Sequence, residues 1–279
     1  MKEIVSGNFN IADIAESGQC FRLTPLGRGE YRTVANGRVL TVSHSDAGAR
    51  LDCDDADYEG LWSEYFDMGT DYSAFSADIP KEDVFLTKAA EFGKGIRILR
   101  QDPWEMLVSF IISQRKSIPA IRSSIEQLCD RYGMEIAAGI HAFPTPQALA
   151  KLPLERLNAC SLGYRSEYVS AASRMVDGGA LDLGAIGKLG DEELMGALLS
   201  VRGVGVKVAG CVMLFGYHRL AAFPRDVWIN RIIDSEYGGS FDAEPYKGYA
   251  GVIQQYMFYY ARSTAHRPLS FVKACDDRI

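Results

Sequence analysis

Near residue 84 the hydrophobic pattern changes period, and that change limits the fold more than any other feature of the chain. Before it, from about 3 to 45, short β-prone runs alternate with turn residues. Tyr31-Arg32-Thr33-Val34-Ala35 and Arg38-Val39-Leu40-Thr41-Val42 flank Asn36-Gly37. Asn-Gly accepts positive φ at both positions of a type I′ turn, so it predicts a tight antiparallel hairpin. After residue 84 the apolar spacing is helical. Leu107, Val108, Ile111 and Ile112 form one stripe behind Asp102-Pro103, with Glu105 three residues after the aspartate, a capping-box start. Further helices are predicted over 118–132, closed by Gly133, and near 146–152, 154–160, 165–177, 191–200, 206–216, 227–236 and 244–262. A sheet followed by a run of helices is an α+β chain with its antiparallel sheet segregated at the N-terminus. The expected division is a sheet domain with an acidic connection over 1–85 and a helical core over 86–279, in which the 244–262 helix packs back on the functional site.

At 279 residues, 47% of them hydrophobic and 24% charged, the chain can bury a sizeable core, which excludes disorder and collagen-like repeats. No apolar run reaches the roughly 18 residues that a bilayer demands, and Met1-Lys2-Glu3-Ile4-Val5-Ser6-Gly7 holds no signal-peptide core. A soluble cytoplasmic protein, nucleoid-associated in a bacterium, is expected. Cys20, Cys53, Cys129, Cys160, Cys211 and Cys275 are scattered and never form Cys-x-x-Cys, and His44, His141, His218 and His266 are dispersed too. Zinc knuckles, iron–sulfur loops and disulfide frameworks are disfavoured, and the thiols read as mostly buried and reduced.

The net charge of −6 argues at first sight against a polyanionic partner. Residues 45–83, however, hold twelve acids against Arg50 and Lys81, so the rest of the chain carries +4. Arg202, Lys207, Arg219, Arg225 and Arg231 face Asp226 alone within 201–231. Screening beyond about 8–10 Å lets such a local basic face bind phosphate on an acidic protein. The 45–83 stretch reads as a connection with one or two short helices and a solvated surface.

Chemistry concentrates in Leu198-Leu199-Ser200-Val201-Arg202-Gly203-Val204-Gly205-Val206-Lys207-Val208-Ala209. An apolar helix runs into Gly-Val-Gly and a new helix starts at once. Two glycines permit unusual φ and close approach of backbone N–H groups, which at a helix N-terminus suit a phosphate. An ordinary helix–helix turn has the same pattern. Lys207 falls in the first turn of the new helix, where the dipole disfavours an ammonium; it is either a solvated surface lysine or an amine kept for attack on carbon. Cys211 shares its helical face. Asp226, in Phe223-Pro224-Arg225-Asp226-Val227, stands at the N-cap of the next helix and can cap, catalyse, or do both.

These residues resemble the helix-hairpin-helix DNA glycosylases, and within that superfamily the 8-oxoguanine DNA glycosylases. The likeness runs nearly end to end. Gly18-Gln19-Cys20-Phe21-Arg22 and Asp102-Pro103-Trp104-Glu105 come first, then Leu162-Gly163-Tyr164-Arg165-Ser166-Glu167-Tyr168-Val169. The hairpin with Lys207 and Pro224-x-Asp226 follow, and Tyr249-Ala250-Gly251-Val252-Ile253-Gln254 with Phe258 close the series. The resemblance implies a monomer acting on double-stranded DNA that contains a damaged purine. It would flip the base out, attack the sugar C1′ with neutral Lys207, form a Schiff base and nick the strand, with Asp226 stabilising cationic character at the sugar. By the same implication the Gly18 carbonyl accepts the N7 hydrogen of 8-oxoguanine, Gln254 reads the pairing edge, and Phe258 with Cys211 sandwiches the ring. Tyr164 wedges beside the target pair. Gly203, Val204 and Gly205 meet the backbone. Taken singly, Phe258 and Tyr164 read more readily as core packing. No organic cofactor is implied; a cation bridging the carbonyls around Arg202 and Val204 to a DNA phosphate is.

Three positions depart from the family pattern. Arg115 stands where the family has the asparagine that fills the vacated gap. Ala120 replaces the first of two arginines that clasp the opposite cytosine, the second being Arg165. Trp228 replaces a phosphate-contacting histidine. The opposite-base preference is left open by these changes. Two alternatives also remain: an alkylpurine glycosylase that uses water, against which Lys207 argues, and a non-catalytic binder of DNA structure, against which Asp226 argues.

Overall fold

The computed structural model describes residues 1–5, 7–45 and 48–265; Asp46, His266, Cys275 and the end of the 86–279 region lie outside them. Five strands, β1 (Lys2–Val5), β2 (Leu23–Gly27), β3 (Glu30–Ala35), β4 (Arg38–Ser45) and β5 (Gly48–Leu51), form one antiparallel sheet in the order β1-β5-β4-β3-β2. Asn36 and Gly37 adopt φ of 48° and 71°, and Ala35 pairs with Arg38, the two-residue turn that the dipeptide predicts. Alternate residues Leu40 and Val42 on β4 and Ala49 and Leu51 on β5 point into a hydrophobic cluster. Helix Ile11–Glu16 adds Ile11, Ile14 and Ala15 to the same cluster. Asn10 caps this helix, its side-chain oxygen accepting from the Ala12 N–H at 2.9 Å.

The acidic stretch departs from its expected form. Gly48–Leu51 is a strand paired with both β1 and β4, and the segment after it carries the short helical pieces Asp55–Asp57, Tyr58–Trp62, Ser63–Tyr65 and Tyr72–Ala77. Nor is it all solvated surface, because Asp67 is 3% exposed. Its carboxylate accepts from Tyr72 Oη at 2.9 Å and Arg100 Nε at 3.0 Å and faces His218 Nε2 at 3.2 Å, while Arg97 donates to its backbone carbonyl. Burial alone would raise this carboxyl, but hydrogen bonds from His218, Thr70 and Tyr72 hold it down at about 2.

The helices follow the predicted spans within about two residues, with one exception at the C-terminal end. Helix 244–262 is instead a 3₁₀ turn, Glu244–Tyr246, followed by a helix over Ala250–Thr264. Tyr249, at φ −151° and ψ 26°, breaks the run, and the Gly251 N–H bonds Leu220 O at 2.8 Å. A Cβ on Gly251 would stand 2.4 Å from Leu214, so that close approach sets where the helix begins. Helix Pro103–Ser113 starts where predicted, with the Asp102 carboxylate accepting from Glu105 N–H at 2.8 Å, but only this half of the expected capping box forms because the Glu105 carboxyl turns inward. The Glu105 carboxyl lines a cleft with Arg22, where burial pushes it up to about 8 against the pull of that guanidinium. A small two-stranded pair, Glu135–Ala137 with Ile140–His141, stands among the helices without any expectation from the sequence.

The join between sheet and helices runs through the Gly18–Arg22 segment, which precedes β2. Gln19 is fully buried and satisfied: its Nε2 donates to Arg97 O at 2.9 Å, its Oε1 accepts from Leu99 N–H at 2.8 Å, and its backbone carbonyl accepts from Gln101 Nε2 at 2.9 Å. Leaving one such buried group unpaired costs about 1–3 kcal/mol. Cys20 packs into the sheet cluster, and Phe21 enters the helical cluster edge-on to Phe110 at 5.5 Å. Gly18 is thereby fixed against the helical half. Among the described residues no helix is long and apolar enough to cross a membrane.

Candidate active site

The hairpin joins helices Asp191–Leu199 and Val206–Phe215. Val201 and Val204 turn inward, at 1% and 7% exposure, and anchor the turn in the core. Its two glycines serve different needs. Gly203 has φ +85°, a Cβ there would stand 2.3 Å from Tyr168 Cγ, and its carbonyl accepts from Gln114 Nε2 at 3.0 Å. Gly205, the N-cap residue, has φ −101°, and a Cβ there would meet nothing within 4 Å. The fold requires glycine at 203 and leaves 205 facing open space. With no side-chain cap, the first N–H groups of the second helix remain available to an outside acceptor.

Lys207 follows in the first turn, half-buried, its Nζ 5.1 Å from the centre of the Phe110 ring. One turn on, burial pushes the Cys211 thiol up while the adjacent Lys207 opposes that shift. Asp226 does cap helix Val227–Glu236, accepting from Ile229 N–H at 2.9 Å, and it also lines the cavity that holds Lys207. That cavity, about 870 Å³, opens between the halves and includes Gly18, Phe110, Trp228 and Phe258 in its walls. A recess of about 50 Å³ shares Gly18, Lys207, Asp226 and Phe258 with it and adds Cys211 and Gln254. The two catalytic candidates and the four base-pocket candidates therefore meet, although they span residues 18 to 258 of the chain.

Gly18 has φ +79°, and a Cβ there would press to 2.9 Å from Phe258 Cε1. Both conditions demand glycine. Gln254 is 4% exposed, its Oε1 accepting from Gln255 Nε2 at 3.0 Å. Gln255 Oε1 is buried without a partner among the described residues. Phe258 is half-buried against the cavity, and Tyr164 is 49% exposed, so core packing does not account for the tyrosine.

The remaining candidates lie outside the recess. Arg115 is exposed at φ +50°, in the turn between helices Pro103–Ser113 and Ile118–Tyr132. Arg165 is 7% exposed and braces that turn: it donates to Gln114 O from Nε at 2.8 Å and again from Nη2, to Leu162 O at 3.1 Å and to Arg115 O at 3.3 Å. Its guanidinium also lies 4.4 Å from the Tyr164 ring centre. Ala120 is half-buried, and Trp228 carries Arg231 at 5.8 Å from its ring. Sequence reasoning missed Lys116, Arg122 and Arg262, all on the cavity wall. Arg262 follows Gln254 and Phe258 at steps of four, a helical face that could have exposed it; Arg122 carries no such signal. Among the described residues no group of three or more His, Cys, Asp or Glu is placed to hold a metal ion.

Residues 3–107 match the family model of the 8-oxoguanine DNA glycosylase N-terminal domain, and residues 108–244 match that of the HhH-GPD superfamily base excision DNA repair proteins. The solved structure of MBOgg1 in complex with a low-affinity DNA ligand is 34% identical, covers 95% of this chain and 98% of its own, and superposes with a TM-score of 0.88. The chain belongs to the 8-oxoguanine DNA glycosylases. Another structure similar to this glycosylase is the Clostridium acetobutylicum 8-oxoguanine glycosylase/lyase in complex with double-stranded DNA containing cytosine opposite 8-oxoguanine. It is 34% identical and covers 92% of this chain and 93% of its own, with a TM-score of 0.85. A relative named probable N-glycosylase/DNA lyase, from Methanothermobacter thermautotrophicus, is 29% identical over 229 residues, 71% of this chain and 72% of that protein.

Proposed function

We propose that this glycosylase excises 8-oxoguanine from duplex DNA and then cleaves the strand as a lyase. The observation that carries the reading is the meeting of Lys207 and Asp226 with Gly18, Cys211, Gln254 and Phe258 around one recess. The extruded base enters between Cys211 and the Phe258 ring, Gln254 reads its pairing edge, and the Gly18 carbonyl accepts the N7 hydrogen that guanine lacks. The free amine of Lys207 forms a bond to C1′ as the bond from C1′ to N9 breaks, and the departing base takes up a proton. Loss of the amine protons and opening of the sugar ring give a Schiff base. Removal of a C2′ proton then expels the 3′ phosphate, and water releases the enzyme. Asp226 faces the sugar as positive charge develops there.

The hairpin N–H groups beyond Gly205 take a phosphate, Tyr164 wedges beside the vacated pair, and Arg115 fills its gap. Arg165 supports Arg115 by holding the turn beneath it. The Gly203 carbonyl already accepts from Gln114, so a cation at the phosphate contact would be held by the carbonyls of Arg202 and Val204; no chemical step needs it. The protein works as a monomer in the cytoplasm.

Borohydride trapping tests this reading on duplexes with 8-oxoguanine opposite each of the four bases. A covalent adduct that requires both the lesion and Lys207 is expected. Alkali-labile sites without an adduct would replace the amine by water, and no base loss at all would remove the lesion assignment. The spread of yields across the four duplexes measures how far Arg115 and Ala120 have relaxed partner choice.

A further inference from the structure

Two arginines grip the turn that carries Gly18. Helix Ile11–Glu16 has six residues, so its last carbonyls have no partner within the helix. Ala15 O accepts from Arg122 Nη2 at 2.8 Å. Glu16 O accepts from Arg262 Nη2, which also reaches Glu16 Oε2 at 3.2 Å. Arg122 projects from helix Ile118–Tyr132 and Arg262 from helix Ala250–Thr264, so three elements are tied at one point. Cations suit the C-terminal end of a helix, and charge-assisted bonds are the stronger kind. The pair also carries a cost, because the Arg262 guanidinium loses water and feels the charge of Arg122.

Two residues beyond Glu16 stands Gly18 at φ +79°. Arg262 Nη1 comes within 3.8 Å of the position that a Gly18 Cβ would take, and the Arg262 guanidinium lies 5.7 Å from the centre of the Phe258 ring. One side chain thus meets both the turn bearing the carbonyl and the ring packed against that turn. A second tie, Tyr259 Oη to Asp13 Oδ1 at 3.0 Å, joins the same two helices.

We propose that Arg122 and Arg262 are positioning residues for lesion discrimination, fixing the Gly18 carbonyl and the Phe258 ring relative to one another at the edge of the recess. This role rests on Gly18 being the reader of the lesion's N7 hydrogen. A single hydrogen bond distinguishes 8-oxoguanine from guanine there, and hydrogen bonds weaken steeply with misplacement. Misplacement by about 1 Å can cost as much as 10²-fold in rate.

The test compares single-turnover excision of 8-oxoguanine at saturating enzyme with strand cleavage at a preformed abasic site, which has no base to read. Arg262→Met and Arg122→Met should each slow excision by roughly tenfold or more and abasic cleavage by less than about threefold. Arg262→Lys, which keeps a charged donor, should recover most of the loss. Equal losses on both substrates would reduce the arginines to general support, and unchanged excision in both methionine variants would remove the role altogether. A wild-type protein that cleaves abasic DNA but leaves 8-oxoguanine in place would overturn the parent reading instead, an outcome visible before any variant is made.

Discussion

The base recess and the rim around it are built on opposite terms. In the recess each residue is fixed by its neighbours: Gly18 by the Phe258 ring, Gln254 by burial, Asp226 by the helix that it caps. On the rim, Val206 is 69% exposed, Val227 63% and Tyr164 49%, and Gly205 has nothing beside it. Local structure therefore explains these three recess residues, though not Lys207 beside them, and the rim hardly at all. Residues that folding does not require must be explained by what they meet from outside.

That contrast can be broken most decisively at Lys207. Lys207→Gln should abolish the trapped adduct and lower strand cleavage by at least about 10³-fold, with the melting temperature preserved; an adduct that survives would move the nucleophile elsewhere. Asp226→Asn separates the two duties of its carboxylate. Asparagine caps as well as aspartate, so stability should change by no more than about 0.5 kcal/mol while excision falls by roughly 10²–10⁴-fold. Urea melts and single-turnover rates on one preparation read both.

The hairpin glycines sharpen the comparison within a single turn. Gly203→Ala must force a methyl against Tyr168 at positive φ and should destabilise the fold by roughly 3 kcal/mol or more. Gly205→Ala should cost about 1 kcal/mol in stability at most, yet weaken duplex binding by roughly 1.5–3 kcal/mol through lost N–H contacts to phosphate. Equal melting temperatures for the two variants would contradict the assignment of inner and outer roles. A last effect, on stability alone, belongs to Asp67, which lines neither the cavity nor the recess. With its carboxyl held at about 2 against an ordinary 3.8, the folded state takes up the proton less readily than the unfolded chain. Its contribution, roughly 2 kcal/mol, is full above about pH 4 and is lost as pH falls through about 2. Urea midpoints measured from pH 6 to pH 2 should converge for wild type and Asp67→Asn at the acid end.

Local chemistry made much of this legible. Asn36-Gly37 specifies its turn, Asp102 and Asp226 announce the helices that they cap, and Lys207 is conspicuous at the wrong end of a helix for an ordinary lysine. Partners distant in the chain were not legible. β5 is a four-residue strand held by neighbours on both sides, and the single alternation of its Gly-Ala-Arg-Leu sequence is too short to betray it. Asp67 reads as one more surface acid because His218, which draws it inward, lies 151 residues further along the chain. Arg122 escapes for the same reason, and so does the hold of Arg262 on Glu16, since both depend on a helix end more than a hundred residues earlier.

The depth at which Gly18 is seated also bears on the order of synthesis. Gly18 and Phe258 press against one another, yet 240 residues separate them. At about 5–20 residues per second a ribosome releases them roughly 10–50 s apart. Over the last 51 residues of that interval, roughly 3–10 s, Lys207 has been made without the wall that completes its recess. A growing chain has an amine but no selective chamber to aim it, so a lesion-directed nick must await the last long helix.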